Sequence, residues 1–403
     1  MNIDFQKQLC KQGLAKFSEY IKLLLYKENE NIFDILDFND DSIYLNPLFF
    51  SYFNGEKNKQ DLQSIIFSYQ KENISIKSIE LTTDEFGRIY LPTIGWFQTK
   101  LANETLNFEK ENLVLKKNDS IINYNFENIE MIDGTTVEIL KYPISLLKKS
   151  YYNVDNEIIE VEIEKITRIQ LNNITRAYNI IKNNAPEHFE LIEMCNSKSV
   201  IFNVDTYQRN SFADVAAHGV GFYNAYQKEY DEVFFIDDIA HQTGHVIFSN
   251  MIFEIEDFLK IEKETILEEI KQPDGSVIEN RNLHIVFHAL YTYYTTFICL
   301  DACMSNNVFK GRQKHETLGR ICFYLTKCHK DLLLIDNPIS SSEESKRIFT
   351  EKGLLIYKMV KNKWIEMYEK WFDVIEHFNL KNQLYNFSYS RFIKLNPLNE
   401  NIY

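Results

Sequence analysis

The residues best suited to chemistry are two histidines four positions apart. They lie in Asp237-Asp238-Ile239-Ala240-His241-Gln242-Thr243-Gly244-His245-Val246-Ile247-Phe248. The stretch reads as an apolar helix, and positions i and i+4 of a helix lie one above the other on the same face. Two imidazoles so placed can bind one metal ion. The metallopeptidase pattern H-E-x-x-H has this geometry and adds a glutamate as general base. Here that position is Gln242. An amide cannot take a proton from metal-bound water, so the ligand pair is kept and the hydrolytic base is lost. The bland alternative is a pair of satisfied core histidines. Three features favour a metal. Asp237 and Asp238 precede the pair and can orient its imidazoles by hydrogen bonds. The helix is otherwise apolar, which makes an unpaired imidazole costly. Gly244 stands directly before His245, where a close approach is needed.

A third ligand must come from elsewhere. Glu254, Glu256 and Asp257 follow His245, and Glu262, Glu264, Glu268 and Glu269 lie further on. The other source is an apolar helix over 281–304, where His284 and His288 are again four apart. His288 lies deeper in Ile285-Val286-Phe287-His288-Ala289-Leu290, where an imidazole needs a hydrogen-bond partner or a metal. It is the preferred third ligand, with His284 supporting it or facing solvent. Two arginines are candidates for an anion. Arg320 is set in the apolar helix Leu318–Leu325, and Arg281 precedes His288 by seven residues. A guanidinium there suits bidentate capture of a carboxylate, against the plainer role of an ion pair with one of the many glutamates. His218 and Asn224 belong to a glycine-flanked stretch, 216–224, and are further residues that can line the site. His315, His329 and His377 sit among polar residues and are expected in solvent.

The elements that must position these side chains follow from composition and period. At 403 residues, 45% hydrophobic, the chain can fill the cores of two or three domains. Its net charge of −14, from 44 basic and 58 acidic residues, argues against a nucleic-acid partner. The six cysteines form no CxxC pair and read as reduced thiols of a cytoplasmic protein. No signal pattern opens the chain, and no apolar run reaches about 18 residues, so no membrane span is expected. Helical spacing over 5–27 and near 58–70 gives way to alternation between about 73 and 165. Helical periodicity returns at 164–183 and stops at Ala185-Pro186. Leu191–Val204 reads as one or two strands. Helices follow over 281–304, 314–335 and 343–378, with turn chemistry at 272–275 and a loop at 335–342. The class is α+β: residues 1–160 form a mixed accessory domain, and 161–403 a mainly helical metal-binding domain with a small sheet.

The order of the C-terminal part is informative. An HxxxH helix is followed by Arg281-Asn282-Leu283-His284-Ile285-Val286-Phe287-His288-Ala289-Leu290-Tyr291 and then by a Gly-Arg helix. Residues 165–360 thereby resemble the HExxH-type 2-oxoglutarate-dependent peptide β-hydroxylases that modify ribosomally made peptides. The resemblance implies a non-haem Fe(II) oxygenase with 2-oxoglutarate as co-substrate and a precursor peptide as substrate. It implies His241, His245 and His288 as metal ligands, with Arg320 or Arg281 binding the far carboxylate of the keto acid. The chain departs from the family pattern at Gln242, which an oxygenase tolerates because it needs no general base there. The N-terminal 160 residues are candidates for holding the peptide, since tethering raises effective concentration. A different class of function remains open: an inactive zinc-peptidase relative that acts as a peptide-binding or maturation partner. A third is a metallopeptidase whose base is displaced, for instance to Glu254.

Overall fold

The computed structural model describes residues 3–71, 76–271, 277–336 and 344–399. The chain is 52% helical with 16% strand in small sheets, and the fold is α+β as the sequence leads one to expect. It opens with α1 (Ile3–Glu28), α2 (Ile32–Ile35), α3 (Asp41–Tyr44), α4 (Pro47–Asn54) and α5 (Lys59–Tyr69). Eight short strands follow: β1 (Ser78–Thr82), β2 (Arg88–Leu91), β3 (Gly95–Gln98), β4 (Thr105–Glu109), β5 (Val114–Lys117), β6 (Ser120–Ile122), β7 (Asn125–Asn128) and β8 (Glu138–Ile139). Then come α6 (Glu164–Asn184), α7 (Pro186–Cys195), β9 (Lys198–Phe202), β10 (Val220–Asn224) and α8 (Glu232–Met251). The chain closes with β11 (Ile266–Lys271), β12 (Val277–Asn282), α9 (Leu283–Ser305), α10 (Gly311–Leu333), α11 (Ser345–Ile348), α12 (Glu351–Ile375) and α13 (Tyr389–Leu395).

Two compact units interleave along the chain. One comprises residues 1–13, 172–195 and 229–403; the other comprises 14–171 and 196–228. A single cut at residue 160 does not describe this division, because β9 and β10 return to the second unit after α7.

In the second unit β1-β4-β5-β6 and β2-β3-β7 are antiparallel sheets, and β9 pairs in parallel with both β8 and β10. The alternation read across 73–165 is realised here. In β4 the burial runs exposed, buried, exposed, buried, with Leu106 and Phe108 inside. Strands β9 and β10 are buried throughout, as parallel strands covered on both faces are. The sequence places a strand from Leu191 onward. Instead Leu191–Cys195 completes α7, since Pro186 occupies the first helical position and the chain stays helical to Cys195.

The first unit is a helical assembly in which α8 packs on α9, and α9 packs on α10 and α12. Asp231 caps α8 by accepting the Val233 amide at 3.0 Å, and Asn282 caps α9 by accepting the Ile285 amide at 2.9 Å. α9 is long and apolar enough to cross a membrane, but 72% of its apolar window is buried inside the protein. It is a core helix. The Glu-rich stretch before it forms the β11–β12 hairpin, which the sequence reading lacked. The expected turn at 272–275 and most of the loop at 335–342 lie outside the described residues.

Candidate functional site

α8 and α9 both carry histidines four residues apart, and both pairs face the same seam. The rings form one row: His284 to His288 at 4.6 Å between centroids, His288 to His245 at 5.8 Å, and His245 to His241 at 5.2 Å. Helix geometry supplies the first and last spacings. The middle one depends on how closely α8 and α9 approach, which Gly244 sets. A Cβ on Gly244 would stand 2.5 Å from Thr295 Oγ1 and 3.4 Å from Thr292 Cα.

All four imidazoles are half-buried, and burial disfavours their charged forms. It pushes His245 down to about 4 and His284 below its usual range. His241 and His288 are held well below the histidine range, chiefly by burial and further by neighbouring imidazoles, with Lys327 adding to the effect at His241. Neutral imidazole is the form that ligates a metal. His241 Nδ1 is buried and, among the described residues, has no hydrogen-bond partner. That is the orphaned donor atom a metal would satisfy.

A metal–nitrogen bond of about 2.1 Å puts an ion roughly 3 Å from a ring centre, so two rings sharing it stand at most about 6 Å apart. The His241–His245 and His245–His288 spacings both meet this limit. Among the described residues no three His, Cys, Asp or Glu side chains are gathered closely enough to hold an ion as they stand. His245 is the ring with an imidazole neighbour on each side, His241 one turn earlier on α8 and His288 across the seam on α9. In donor type and in pairwise spacing the residues fit a metal. Glu264 acts electrostatically on His284.

Around the row the acids and arginines are committed to each other. Asp237 and Arg320 form a buried ion pair, and Glu316 Oε1 accepts from Arg320 Nη2 at 2.8 Å and from Nε at 3.1 Å. Burial pushes the Asp237 carboxyl up, against the opposing pull of Arg320. The guanidinium also lies 4.9 Å from the centre of the Phe387 ring. Arg281 is bidentate to Asp331 at 2.7 and 2.8 Å and takes Glu268 at 3.0 Å. Both guanidiniums thus have the ion-pair role weighed for them in the sequence, and their carboxylates are the protein's own. Asp238 fixes Gln242 by accepting its side-chain amide at 3.0 Å. Of the two acids read as orienting the imidazoles, Asp237 faces Arg320 and Asp238 faces Gln242.

His218 and Asn224 belong to the second unit and are spent there. His218 is buried and stacks on Phe17 at 4.3 Å. Asn224 clamps the preceding loop, donating to Val204 O at 2.9 Å and Arg209 O at 2.8 Å. The expectation that His315 is solvated is corrected. It is fully buried, 3.1 Å from the Tyr389 hydroxyl, because Phe378 and Phe392 of the C-terminal segment cover it. His329 stacks on Trp364 at 5.2 Å.

Sequence reasoning missed three residues beside His241. Tyr324 and Tyr293 flank its ring at 5.8 and 6.3 Å, and Lys327 acts on it electrostatically. The signal was present in α10, where Arg320, Tyr324 and Lys327 lie at i, i+4 and i+7 on one helical face. Neither the family models nor the curated proteins include a match to this chain.

Proposed function

We propose that the protein is a non-haem Fe(II)- and 2-oxoglutarate-dependent oxygenase that hydroxylates side-chain β-carbons of a ribosomally made precursor peptide. The observation that carries the reading is the row of neutral imidazoles from α8 and α9, with an amide at the position where hydrolysis needs a carboxylate. His241, His245 and His288 would hold the iron, and His284 adjoins them. When bound, the iron with its keto acid would supply the oxidising chemistry, in which dioxygen gives one oxygen atom to the succinate formed from 2-oxoglutarate with loss of carbon dioxide and the other to the peptide hydroxyl.

The chain's own residues prepare the site for that task. Burial keeps the imidazoles unprotonated near neutral pH, so metal uptake need not displace protons. Gln242 stays neutral and is held by Asp238, so position 242 carries no carboxylate to activate water. The committed pairs Arg320–Asp237 and Arg281–Asp331 brace α10 against α8 and β12, so the aromatic wall of Tyr324 and Tyr293 is fixed beside His241. Six free cysteines fit a reducing, cytoplasmic compartment, which is part of the same proposal.

The alternative is an inactive zinc-peptidase relative that binds a peptide, favoured by the same Gln242. Anaerobic reconstitution separates the two. Protein loaded in this way with Fe(II), and then given 2-oxoglutarate, peptide and dioxygen, should form succinate and carbon dioxide together with a peptide about 16 mass units heavier, one oxygen atom. Iron uptake without succinate formation on any peptide library would favour the binding partner.

A further inference from the structure

Arg88, Arg281, Arg312 and Arg320 each hold two carboxylates. Arg209, in the second unit, holds none among the described residues: its Nη2 reaches only the Ser150 carbonyl, at 3.4 Å, and its Nε is buried without a hydrogen-bond partner. The guanidinium carbon lies 3.9 Å from the centre of the Tyr152 ring and 4.1 Å from that of Phe212. Both rings are anchored. Phe212 exchanges backbone hydrogen bonds with Phe222 of β10 and stacks on it at 4.4 Å, and Tyr152 bridges to Ile158. Arg209 lines a cleft of about 270 Å³ between residues 152–156 and 206–212. No acid lines this cleft, in a chain of 58 acidic and 44 basic residues. Asp205, the nearest acid in sequence, is spent within its own loop, where Oδ1 accepts the Tyr207 amide at 2.9 Å.

We infer that this cleft binds a peptide and that Arg209 takes one of its carboxylates, from a C-terminus or from an Asp or Glu side chain. A guanidinium laid against rings keeps its in-plane N–H groups for the bidentate grip that a planar carboxylate offers. One cation balances one carboxylate, whereas a phosphate dianion would keep half its charge uncompensated here. The rest of the lining suits a peptide. Asn156, Gln208 and Asn210 bring side-chain amides that match backbone N–H and C=O groups. Val154 and Tyr207, 83% and 78% exposed, offer apolar surface to a neighbouring side chain. Pockets for drug-sized ligands run from about 300 to 1,000 Å³, so this cleft suits one or two residues of a chain and not a whole cofactor. The inference needs no metal at the histidine row, and either can fail without the other.

The test is retention of random octapeptide pools on the immobilised full chain. One pool has an amidated C-terminus and no Asp or Glu, one has a free C-terminal carboxylate and no Asp or Glu, and one is amidated but contains both acids. Wild type should retain at least one carboxylate-bearing pool about tenfold better than the first, and the pool retained identifies the source of the carboxylate. Arg209→Met should abolish that preference. Arg209→Lys keeps the charge, loses the fork and should fall between. Tyr207→Ala alters an exposed side chain, should fold as wild type does, and should weaken retention several-fold. Equal retention of the three pools by wild type overturns the site. So does a carboxylate preference that survives in an Arg209→Met protein with unchanged melting. Should Arg209→Met not fold, unaltered retention by Tyr207→Ala overturns the site instead.

Discussion

Gly244 lies directly against Thr295 where α8 crosses α9, and a side chain on that glycine would stand 2.5 Å from the threonine hydroxyl. The same hydroxyl donates to the Ala240 carbonyl at 2.8 Å, one turn earlier on α8. The contact seals the seam one residue before His245. Gly244→Ala must therefore push the helices apart, at a cost of about 1–3 kcal/mol. Calorimetric melting should show that loss, with metal affinity falling in parallel as His245 and His288 separate. Adding Thr295→Ala should restore part of both. Equal melting temperatures for Gly244→Ala and wild type would refute the account.

The middle position of His245 makes a second prediction. It neighbours both His241 and His288, so His245→Ala should abolish iron uptake. His241→Ala and His288→Ala each leave a neighbouring pair and should weaken uptake less. His284→Ala should weaken it least. Metal analysis after anaerobic loading ranks the four. A ranking that put His284 first would move the ion to the other end of the row.

Gln242 offers a direct contrast between the two functional readings. Its side chain is tied to Asp238 at 3.0 Å, and Gln242→Glu would set two carboxylates against each other at i and i+4. The new acid should be a poor base held by repulsion, so zinc-loaded Gln242→Glu should not cleave peptides. Cleavage of a casein or peptide-library substrate by this variant would instead support descent from a peptidase with its base removed.

What could be read from the sequence divides along a physical line. The i, i+4 histidine pairs and the requirement for a small residue at Gly244 are local, and both are realised. The facing of His245 and His288 is long-range, yet it was legible because two apolar helices with polar rings must bury those rings together. The fates of Arg320 and Arg281 were not. Charge partners such as Asp237 and Asp331 lie 83 and 50 residues away, and nothing local distinguishes a guanidinium waiting for a ligand from one already matched. Lys327 escaped because its surroundings are aromatic and come partly from distant segments, Tyr293 and Tyr385. His315 was misplaced because its neighbours in sequence are polar while its cover comes from Phe378 and Phe392.

Arg320 illustrates how a structural role can be told from a ligand-binding one. Removing it would leave Asp237 buried without its counter-charge and Glu316 with Arg312 alone, a loss of about 3–5 kcal/mol. Arg320→Met should consequently lower the melting temperature sharply in the metal-free protein. A variant that melts like wild type and loses only keto-acid affinity would instead show Arg320 to be a ligand-binding residue.

His188 on α7 is the clearest source of acid sensitivity. It is 2% exposed, and among the described residues neither ring nitrogen has a hydrogen-bond partner within the protein. Burial pushes its imidazole down to about 4, whereas in the unfolded chain it titrates near 6.5. Between those values the unfolded chain binds a proton that the folded one refuses. Stability contributed by this group is complete above about 6.5 and is lost as pH falls toward 4, at up to about 1.4 kcal/mol per pH unit. His188→Leu has similar bulk and nothing to protonate. It should raise stability at pH 8, since two unsatisfied nitrogens leave the core, and should raise it further at pH 5. Urea unfolding at the two pH values measures both gains. If the gain at pH 5 does not exceed that at pH 8, the buried imidazole is not the group that titrates.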